Sequence, residues 1–170
     1  MLRILGFCLI AAGCALAGES CCARLRIRAL SLERCEALAQ ALGEELRYTM
    51  APVEILMTSL GERQQFSPLG FLRRCACLCT AGEAFPKAWK RAVTEEAERL
   101  ALSREDLDLL LPWGEFLGAA DLESQLGQLK LAGLSLGRQR EDARQRWRTL
   151  GKLYSTLGVL GGVFAVIVLW

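Results

Sequence analysis

The sequence predicts an all-α protein, a membrane-anchored helical bundle. Two long helices are expected to form an antiparallel stalk continuous with terminal transmembrane segments, with short helices at its distal end. Three observations favour this. Both ends of the chain are uncharged, over 15 residues (4–18) and 18 residues (153–170). Basic residues lie on the inner side of each uncharged stretch. Between them, apolar residues recur at spacings of three and four, as in amphipathic helices.

The basic residues set the expected topology. Lys and Arg close to a membrane segment are retained on the cytoplasmic side. We therefore expect an N-terminal transmembrane anchor over 1–18, a cytosolic α-helical domain over 19–152 and a C-terminal transmembrane helix over 153–170, with both termini outward. Each span is slightly shorter than the ~20 residues that usually cross a bilayer. The arginines that carry this prediction are Arg24, Arg26, Arg28, Arg138, Arg140, Arg144, Arg146 and Arg148.

The first apolar stretch has an alternative interpretation as a secretory signal. Arg3 would be its charged start and Ala15-Leu16-Ala17 its cleavage site, and Ala11-Ala12-Gly13-Cys14 gives a loose lipoprotein-like site. The chain would then be a secreted or lipid-anchored helical protein with a cleaved N-terminal signal. Against this, three arginines follow closely and would have to be translocated. The second apolar stretch would also remain unexplained.

The second apolar stretch carries a potential packing face. Gly158 and Gly162 form a Gly-x-x-x-Gly pattern, which lets another membrane helix approach closely. Glycine is also frequent in membrane helices without such a role, so a homo-oligomer formed through this face remains an open alternative. The basic segment before it, 138–152, is placed to attract anionic membrane lipids. Because these basic residues serve topology, we expect no nucleic-acid partner.

The first membrane helix is predicted to continue into the cytosolic domain. Apolar residues after it recur along one face. They are Leu32, Cys35, Ala39, Leu42 and Leu46. This helix is predicted to end near Tyr48. Thr49 is predicted to cap the next short helix, with Pro52 in its first turn.

Three more short helices are predicted before the last one. The first follows Ser67-Pro68, runs from 69 to about 80, and is ended by Gly82. The second, from about 85 to 100, is expected to turn Trp89 and Val93 inward. The third begins with a capping box at Ser103 and continues to Gly118.

The last helix is predicted to run from an N-cap at Asp121 to the end of the chain. Its apolar residues follow a four-three spacing, a period of 3.5 that is typical of coiled coils. Arg140 interrupts this seam, and we expect its stem to lie along the groove while its charge reaches water. The seam comprises Leu122, Leu126, Leu129, Gly133, Leu136, Arg140, Ala143, Trp147, Leu150, Tyr154 and Leu157.

The sequence offers little for catalysis or metal binding. It has eight cysteines and no histidine, so Ser-His-Asp and Cys-His arrangements cannot form within the chain. Cys75 and Cys79 share a helix face but lack a second pair at zinc-finger spacing. We predict no catalytic, cofactor-binding or metal-binding residues, and free thiols in a reducing cytosol. A small enzyme using Cys35 is a third alternative, but without a base its thiol would keep a pKa near ~8.5 and little reactivity.

Three segments, in order, resemble one protein family. Residues 45–54 resemble its acid-x-x-Tyr turn, and residues 113–125 resemble its Gly-x-x-Leu-Gly-x-x-Asp-x-x-x-Gln segment. Residues 153–162 resemble the Tyr-x-x-Leu-Gly-x-x-x-Gly start of its last helix. The chain thus resembles the stage III sporulation protein AB family over its full length. It departs from the pattern in its cysteine load and in the bulk of Trp113 after Pro112.

The resemblance implies a non-enzymatic scaffold in the sporulation channel between mother cell and forespore. The family's cytosolic domain is similar to the inner-membrane platform protein of type II secretion and type IV pilus machines. Its implied partners are a secretion-type ATPase, similar to stage III sporulation protein AA, and other stage III sporulation channel membrane proteins. Its implied location is the cell membrane, on the mother-cell side of the forespore.

An acidic region is the expected docking surface for the ATPase. Residues 83–123 hold ten acidic and five basic residues. Asp121 and Gln125 are interpreted first as a helix cap and as helix surface. The candidate partner-interaction residues are Tyr48, Pro52, Glu105, Asp108, Gly114, Gly118, Asp121 and Gln125.

Overall fold

The computed structural model is all-α, as predicted. It describes the backbone of residues 2–49, 51–119 and 121–169, and the side chains of residues 19–49, 51–119 and 121–150. No strand occurs within these ranges. The helices are α1 (Leu2–Thr49), α2 (Val53–Glu62), α3 (Gly70–Thr80), α4 (Phe85–Glu96), α5 (Arg104–Leu110), α6 (Trp113–Phe116) and α7 (Leu122–Leu169).

The predicted membrane spans, 1–18 and 153–170, lie outside the described side chains, as do Gly158 and Gly162. Within the part of the chain whose side chains are described, no helix has a stretch long and apolar enough to span a bilayer. The chain divides into two compact units, one comprising 1–29 with 141–170 and the other 30–140. The antiparallel stalk continuous with membrane segments therefore stays a prediction.

In the unit formed by residues 30–140, α1 is buried along a wide stripe. The five apolar positions predicted for its buried face, from Leu32 to Leu46, are each at most 6% exposed. Ser31, Leu38 and Ala41 are buried as well. A stripe this wide has room for two neighbours, and α1 uses it to contact both α7 and the short helices.

Helices α1 and α7 run antiparallel in this unit. A Cβ built on Gly133 would lie 3.7 Å from the Cβ of Ala39, and one built on Gly43 would lie 3.7 Å from Leu126 Cδ2. Residue numbers therefore rise along one helix as they fall along the other. Leu129 and Leu136 of the predicted seam are buried.

Arg140 corrects one expectation about the seam. Its Nη1 lies 3.0 Å from Oε2 of Glu36 on α1, and the two side chains are 29% and 21% exposed. Its Nε is buried and has no hydrogen-bond partner among the described residues. The guanidinium is thus paired within the protein, because α1 presents a carboxylate opposite it.

In the other unit, 1–29 with 141–170, the structure describes the side chains of residues 19–29 and 141–150. Ala29 and Ala143 are buried there. The guanidinium carbon of Arg26 on α1 lies 6.0 Å from the ring centroid of Trp147 on α7, a cation–π contact. Trp147 belongs to the predicted seam, and this contact joins the two helices within the unit.

Some predicted helix limits were wrong. Thr49 does not cap α2: it ends α1, and its Oγ1 donates a hydrogen bond of 2.6 Å to the Glu45 carbonyl. The helix predicted from Ser103 to Gly118 is two helices, α5 and α6, because Pro112 cannot continue an α-helical hydrogen-bond ladder. The capping box at Ser103 is confirmed, with Asp106 as its reciprocal partner.

The short helices pack around Trp89 of α4. Its indole stacks on Trp113 at 5.9 Å and meets Phe71 edge-on at 5.4 Å between ring centroids. Its Nε1 donates a 2.9 Å hydrogen bond to the Leu110 carbonyl. Trp113 is therefore fully buried and supports α4. Such aromatic pairs stabilise a core beyond their buried area.

Gly114 fits against this cluster only because it has no side chain. A Cβ there would lie 2.9 Å from Trp89 Cδ1 and 3.2 Å from the Pro86 carbonyl oxygen. Gly114→Ala should lower the free energy of unfolding by about 1–3 kcal/mol, since the buried indole and backbone must shift. Gly127 is the matched control, with nothing within 4 Å; Gly127→Ala should raise it by about 0.5–1 kcal/mol. Chemical denaturation of both variants tests this, and equal effects would contradict it.

Candidate functional site

A groove of about 550 Å³ brings together residues from two of the family-like segments. It lies between the α1–α2 turn, the start of α4 and the loop before α7. Its walls are mostly apolar. The lining residues are Leu46, Ala51, Pro52, Val53, Glu54, Phe85, Pro86, Leu117, Gly118, Ala119, Leu122 and Gln125.

The α1–α2 turn forms one wall. Pro52 occupies the N-cap of α2, with φ −53° and ψ 142°. Its carbonyl accepts hydrogen bonds from the backbone N–H groups of Ile55 and Leu56, at 3.0 and 3.2 Å. Proline suits this place because the N-cap needs a carbonyl acceptor rather than an N–H donor. The turn thereby exposes Pro52 at the groove and buries Val53 beneath it.

The α6–α7 loop forms the opposite wall. Gly118 has a φ of +82°, a left-handed conformation that favours glycine. Its N–H donates to Oε1 of Gln125 at 3.3 Å. Asp121 Oδ2 accepts from the Ser124 N–H at 3.0 Å, so the predicted N-cap of α7 is confirmed.

Gln125 corrects the expectation that it lies on the helix surface. It is only 7% exposed, because the loop folds back over the first turn of α7. The amide oxygen accepts the Gly118 N–H and thereby ties this part of the loop to the first turn of α7. Its spacing from Gly118 is seven residues across a loop, which helical periodicity does not reveal.

The acidic region is partly neutralised by neighbouring arginines. Glu95 accepts hydrogen bonds from Arg74 (2.8 Å) and Arg91 (3.0 Å). Arg74 first, and then Arg91, hold the pKa of Glu95 below its usual value. Arg91 also lies 3.4 Å from Glu83. These carboxylates are therefore less available to a partner than their number in the sequence indicates.

Two of the three carboxylates of α5 are open to solvent. Glu105 and Asp108 are exposed and stand three residues apart, on neighbouring positions of the helix surface. Among the described residues neither forms an ion pair. Asp106 between them is fully buried and serves the capping box instead.

The structure sorts the predicted site residues into three groups. Pro52, Gly118 and Gln125 line the groove, while Asp121 caps the helix behind it. Glu105 and Asp108 form the separate acidic face of α5. Gly114 belongs to the aromatic core, and Tyr48, 83% exposed, lines a second groove between α1 and α7. The functional roles predicted for all of them stay predictions.

Sequence reasoning missed several groove residues. The sequence predicts Leu46 only as part of the apolar face of α1 and Phe85 only as the start of a helix. Leu117 stands only within the family-like segment 113–125, and Pro86 has no predicted role. Their common signal is an apolar residue at a helix end, where it borders both the core and the surface. That signal is weak without the tertiary arrangement.

The described thiols differ in their surroundings. Burial raises the pKa of Cys35 to about 12; the nearby Asp106 carboxylate adds to the shift and Arg34 opposes it. Burial also raises the pKa of Cys75, with a further contribution from Cys79. Cys77 is exposed. Within the described residues no group of three or more Cys, Asp or Glu side chains is arranged to hold a metal ion.

The Cys35 thiol predicts a pH dependence of stability. An unfolded thiol titrates near ~8.5, whereas the folded one titrates at about 12. Its stabilisation is therefore complete below the unfolded pKa and is lost as the pH rises toward the folded pKa. From pH ~8 to ~10.5 the wild type should lose about 2–3 kcal/mol more unfolding free energy than Cys35→Ala. Cys77→Ala is the control and should lose as much as the wild type; parallel losses in all three would refute the assignment.

Comparison with known proteins places these features in one family. The family model described as stage III sporulation protein AB matches residues 3–170. Stage III sporulation protein AB of Bacillus subtilis (strain 168) is 25% identical over 171 residues, covering 99% of this chain and 99% of that protein. A solved structure of stage III sporulation protein AB has a TM-score of 0.59 at 25% identity, covering 71% of this chain and 96% of that one. With the family model spanning nearly every residue and both relatives sharing its name, this chain belongs to the stage III sporulation protein AB family.

Proposed function

We propose that this chain is a non-enzymatic membrane platform of the sporulation channel between mother cell and forespore. It would couple a cytosolic secretion-type ATPase, similar to stage III sporulation protein AA, to other stage III sporulation membrane proteins. Family membership supports the sporulation context. The link to type II secretion platforms rests on the resemblance of the cytosolic domain and is an analogy of fold.

The observation that carries the docking surface is the open acidic face of α5. Glu83 and Glu95 are neutralised by arginines, whereas Glu105 and Asp108 are exposed and have no ion pair among the described residues. Exposed charges of one sign favour encounter with a surface of the opposite sign and select against like-charged partners. We therefore assign ATPase docking to α5 and expect a basic surface on the ATPase.

The proposed membrane placement rests on the uncharged ends of the chain. Residues 4–18 and 153–170 carry no charge, and arginines lie on the inner side of both. In this arrangement unit 30–140 is cytosolic and both termini face outward. The alternative is the secreted or lipid-anchored protein, in which the same unit lies outside the cell.

Removing the two open carboxylates of α5 should weaken ATPase binding. Glu105→Gln with Asp108→Asn keeps side-chain size but deletes two charges. We expect binding about threefold to tenfold weaker at low salt, with the difference shrinking as salt screens the charges. Affinity of the full chain for the purified ATPase, measured across a salt series, checks this.

The matched control is Glu62→Gln with Glu141→Gln, which also deletes two exposed carboxylates. It should leave ATPase affinity unchanged. Equal weakening by both pairs would mean that overall charge, rather than the α5 face, sets the affinity. No binding by any version, wild type included, would contradict the platform proposal.

The exposed Cys77 thiol reports the topology directly. In intact cells a membrane-impermeant thiol reagent should leave Cys77 unlabelled, and after lysis it should label it. A cysteine added after Trp170 should label in intact cells. Quantifying each labelled peptide by mass spectrometry checks this, with Cys77→Ser as the control for peptide assignment. Labelling of Cys77 before lysis would favour the secreted alternative.

A further inference from the structure

A second groove, separate from the one built by the family-like segments, runs between α1 and α7. Its volume is about 500 Å³, and it lies entirely within unit 30–140. It combines small, large apolar and charged residues. The lining residues are Glu36, Ala39, Gln40, Gly43, Glu44, Arg47, Tyr48, Leu126, Leu129, Lys130, Gly133 and Leu134.

Exposed apolar side chains concentrate at this groove. Five large hydrophobic residues are exposed within the described part of the chain. Tyr48 (83%) and Leu134 (59%) line the groove, and Leu131 (66%) stands one turn from Leu134 on the same helix face. Only Ile27 and Ile55 are exposed elsewhere. Three of five in one place mark a surface that a partner covers.

The floor of the groove consists of small residues. Ala39 and Gly133 face each other across the two helices, with the glycine's absent Cβ position 3.7 Å from the Ala39 Cβ. Gly43 lies one turn further along α1. The surface therefore carries recesses beside projecting Tyr48 and Leu134 side chains. A surface with both is able to pair with itself, as an isologous interface requires.

The charges at the groove are of both signs. Glu44 and Arg47 on α1 and Lys130 on α7 are exposed. A partner of one charge would meet repulsion from part of this set. A second copy presents the same three charges. Acidic groups of each copy can therefore meet basic groups of the other.

The antiparallel register specifies which residues would meet. Tyr48 lies at one end of the groove, and Leu134 lies at the other end on the other helix. A two-fold axis that lies in the surface, along the groove, places α1 of one copy over α7 of the second, with residues at the same level facing each other. Because Gly133 is level with Ala39, Leu134 of one copy then lies over the small Ala39 of the second copy. Glu44, next to Gly43, lies near Lys130 of the second copy, because Gly43 is level with Leu126, one turn from Lys130. Each contact occurs twice.

We propose that the α1–α7 groove is a homodimer interface, occupied by the same groove of a second copy. The paired contacts are Leu134 with Ala39 and Glu44 with Lys130. This surface is distinct from the acidic face of α5 and leaves that face open. It does not depend on the proposed ATPase partner or on Gly158 and Gly162.

A charge swap tests the register. Full-length copies carrying two different affinity tags are co-expressed, one tag is captured, and the second is quantified. Glu44→Lys alone and Lys130→Glu alone should each lower co-capture by about tenfold, because symmetry repeats the repulsion. The double variant Glu44→Lys/Lys130→Glu should restore it. Both sites are exposed, so each variant should still fold with the helical circular-dichroism spectrum of the wild type.

A matched pair of apolar substitutions tests the surface itself. Leu134→Ser should reduce co-capture, whereas Ile55→Ser, at a similarly exposed residue on α2 (58% against 59%), should not. Equal co-capture in every variant overturns the proposal. So does a charge-swapped double variant that stays as low as the single ones. Unchanged self-capture with loss of another channel protein in Leu134→Ser would assign the groove to that protein and also overturn the homodimer.

Discussion

The fold depends on one requirement, that α1 be covered on two sides. Its buried stripe is too wide for a single neighbour, so α7 takes one side and the short helices take the other. Ala39 meets Gly133 of α7. On the other side, the buried Asp106 of α5 lies near enough to Cys35 to contribute to the raised pKa of its thiol. Once α1 is fixed, Trp89 holds the short helices together by stacking and by its bond to the Leu110 carbonyl.

The family-like segments are explained by packing and loop geometry. Gly114 gives Trp89 room, Gly118 takes a left-handed turn, and Gln125 holds the N–H of that turn. Asp121 caps the long helix that follows. These residues build a defined groove wall, while two exposed carboxylates, Glu105 and Asp108, lie apart from it on α5. The residues that build the groove wall and those of the proposed docking face are thus different residues of the same acidic region.

The sequence predicted what local periodicity controls and missed what tertiary contacts control. The apolar face of α1, the Ser103 capping box and the Asp121 cap depend on residues a few positions apart, and all three are confirmed. The break at Pro112 is a local effect of proline that the predicted helix from Ser103 to Gly118 left out. The burial of Gln125 instead depends on where a loop folds. For the same reason the sequence predicts the candidate residues as one set. In the structure some of them line the groove, Gly114 lies in the aromatic core, and Glu105 and Asp108 lie on the acidic face of α5.

The pair of Arg140 and Glu36 has a consequence for sliding of the two long helices. Apolar seams with a seven-residue repeat tolerate a shift of one heptad, because leucine replaces leucine. Such a shift would carry Arg140 to the level of Ala29 or Gly43 and leave its partly buried guanidinium without a carboxylate. The ion pair thus distinguishes one alignment from its near equivalents. A force applied along one helix would be resisted at this ion pair. Sliding of α1 along α7 must separate Arg140 from Glu36 before the leucine side chains reach equivalent packing positions one heptad away.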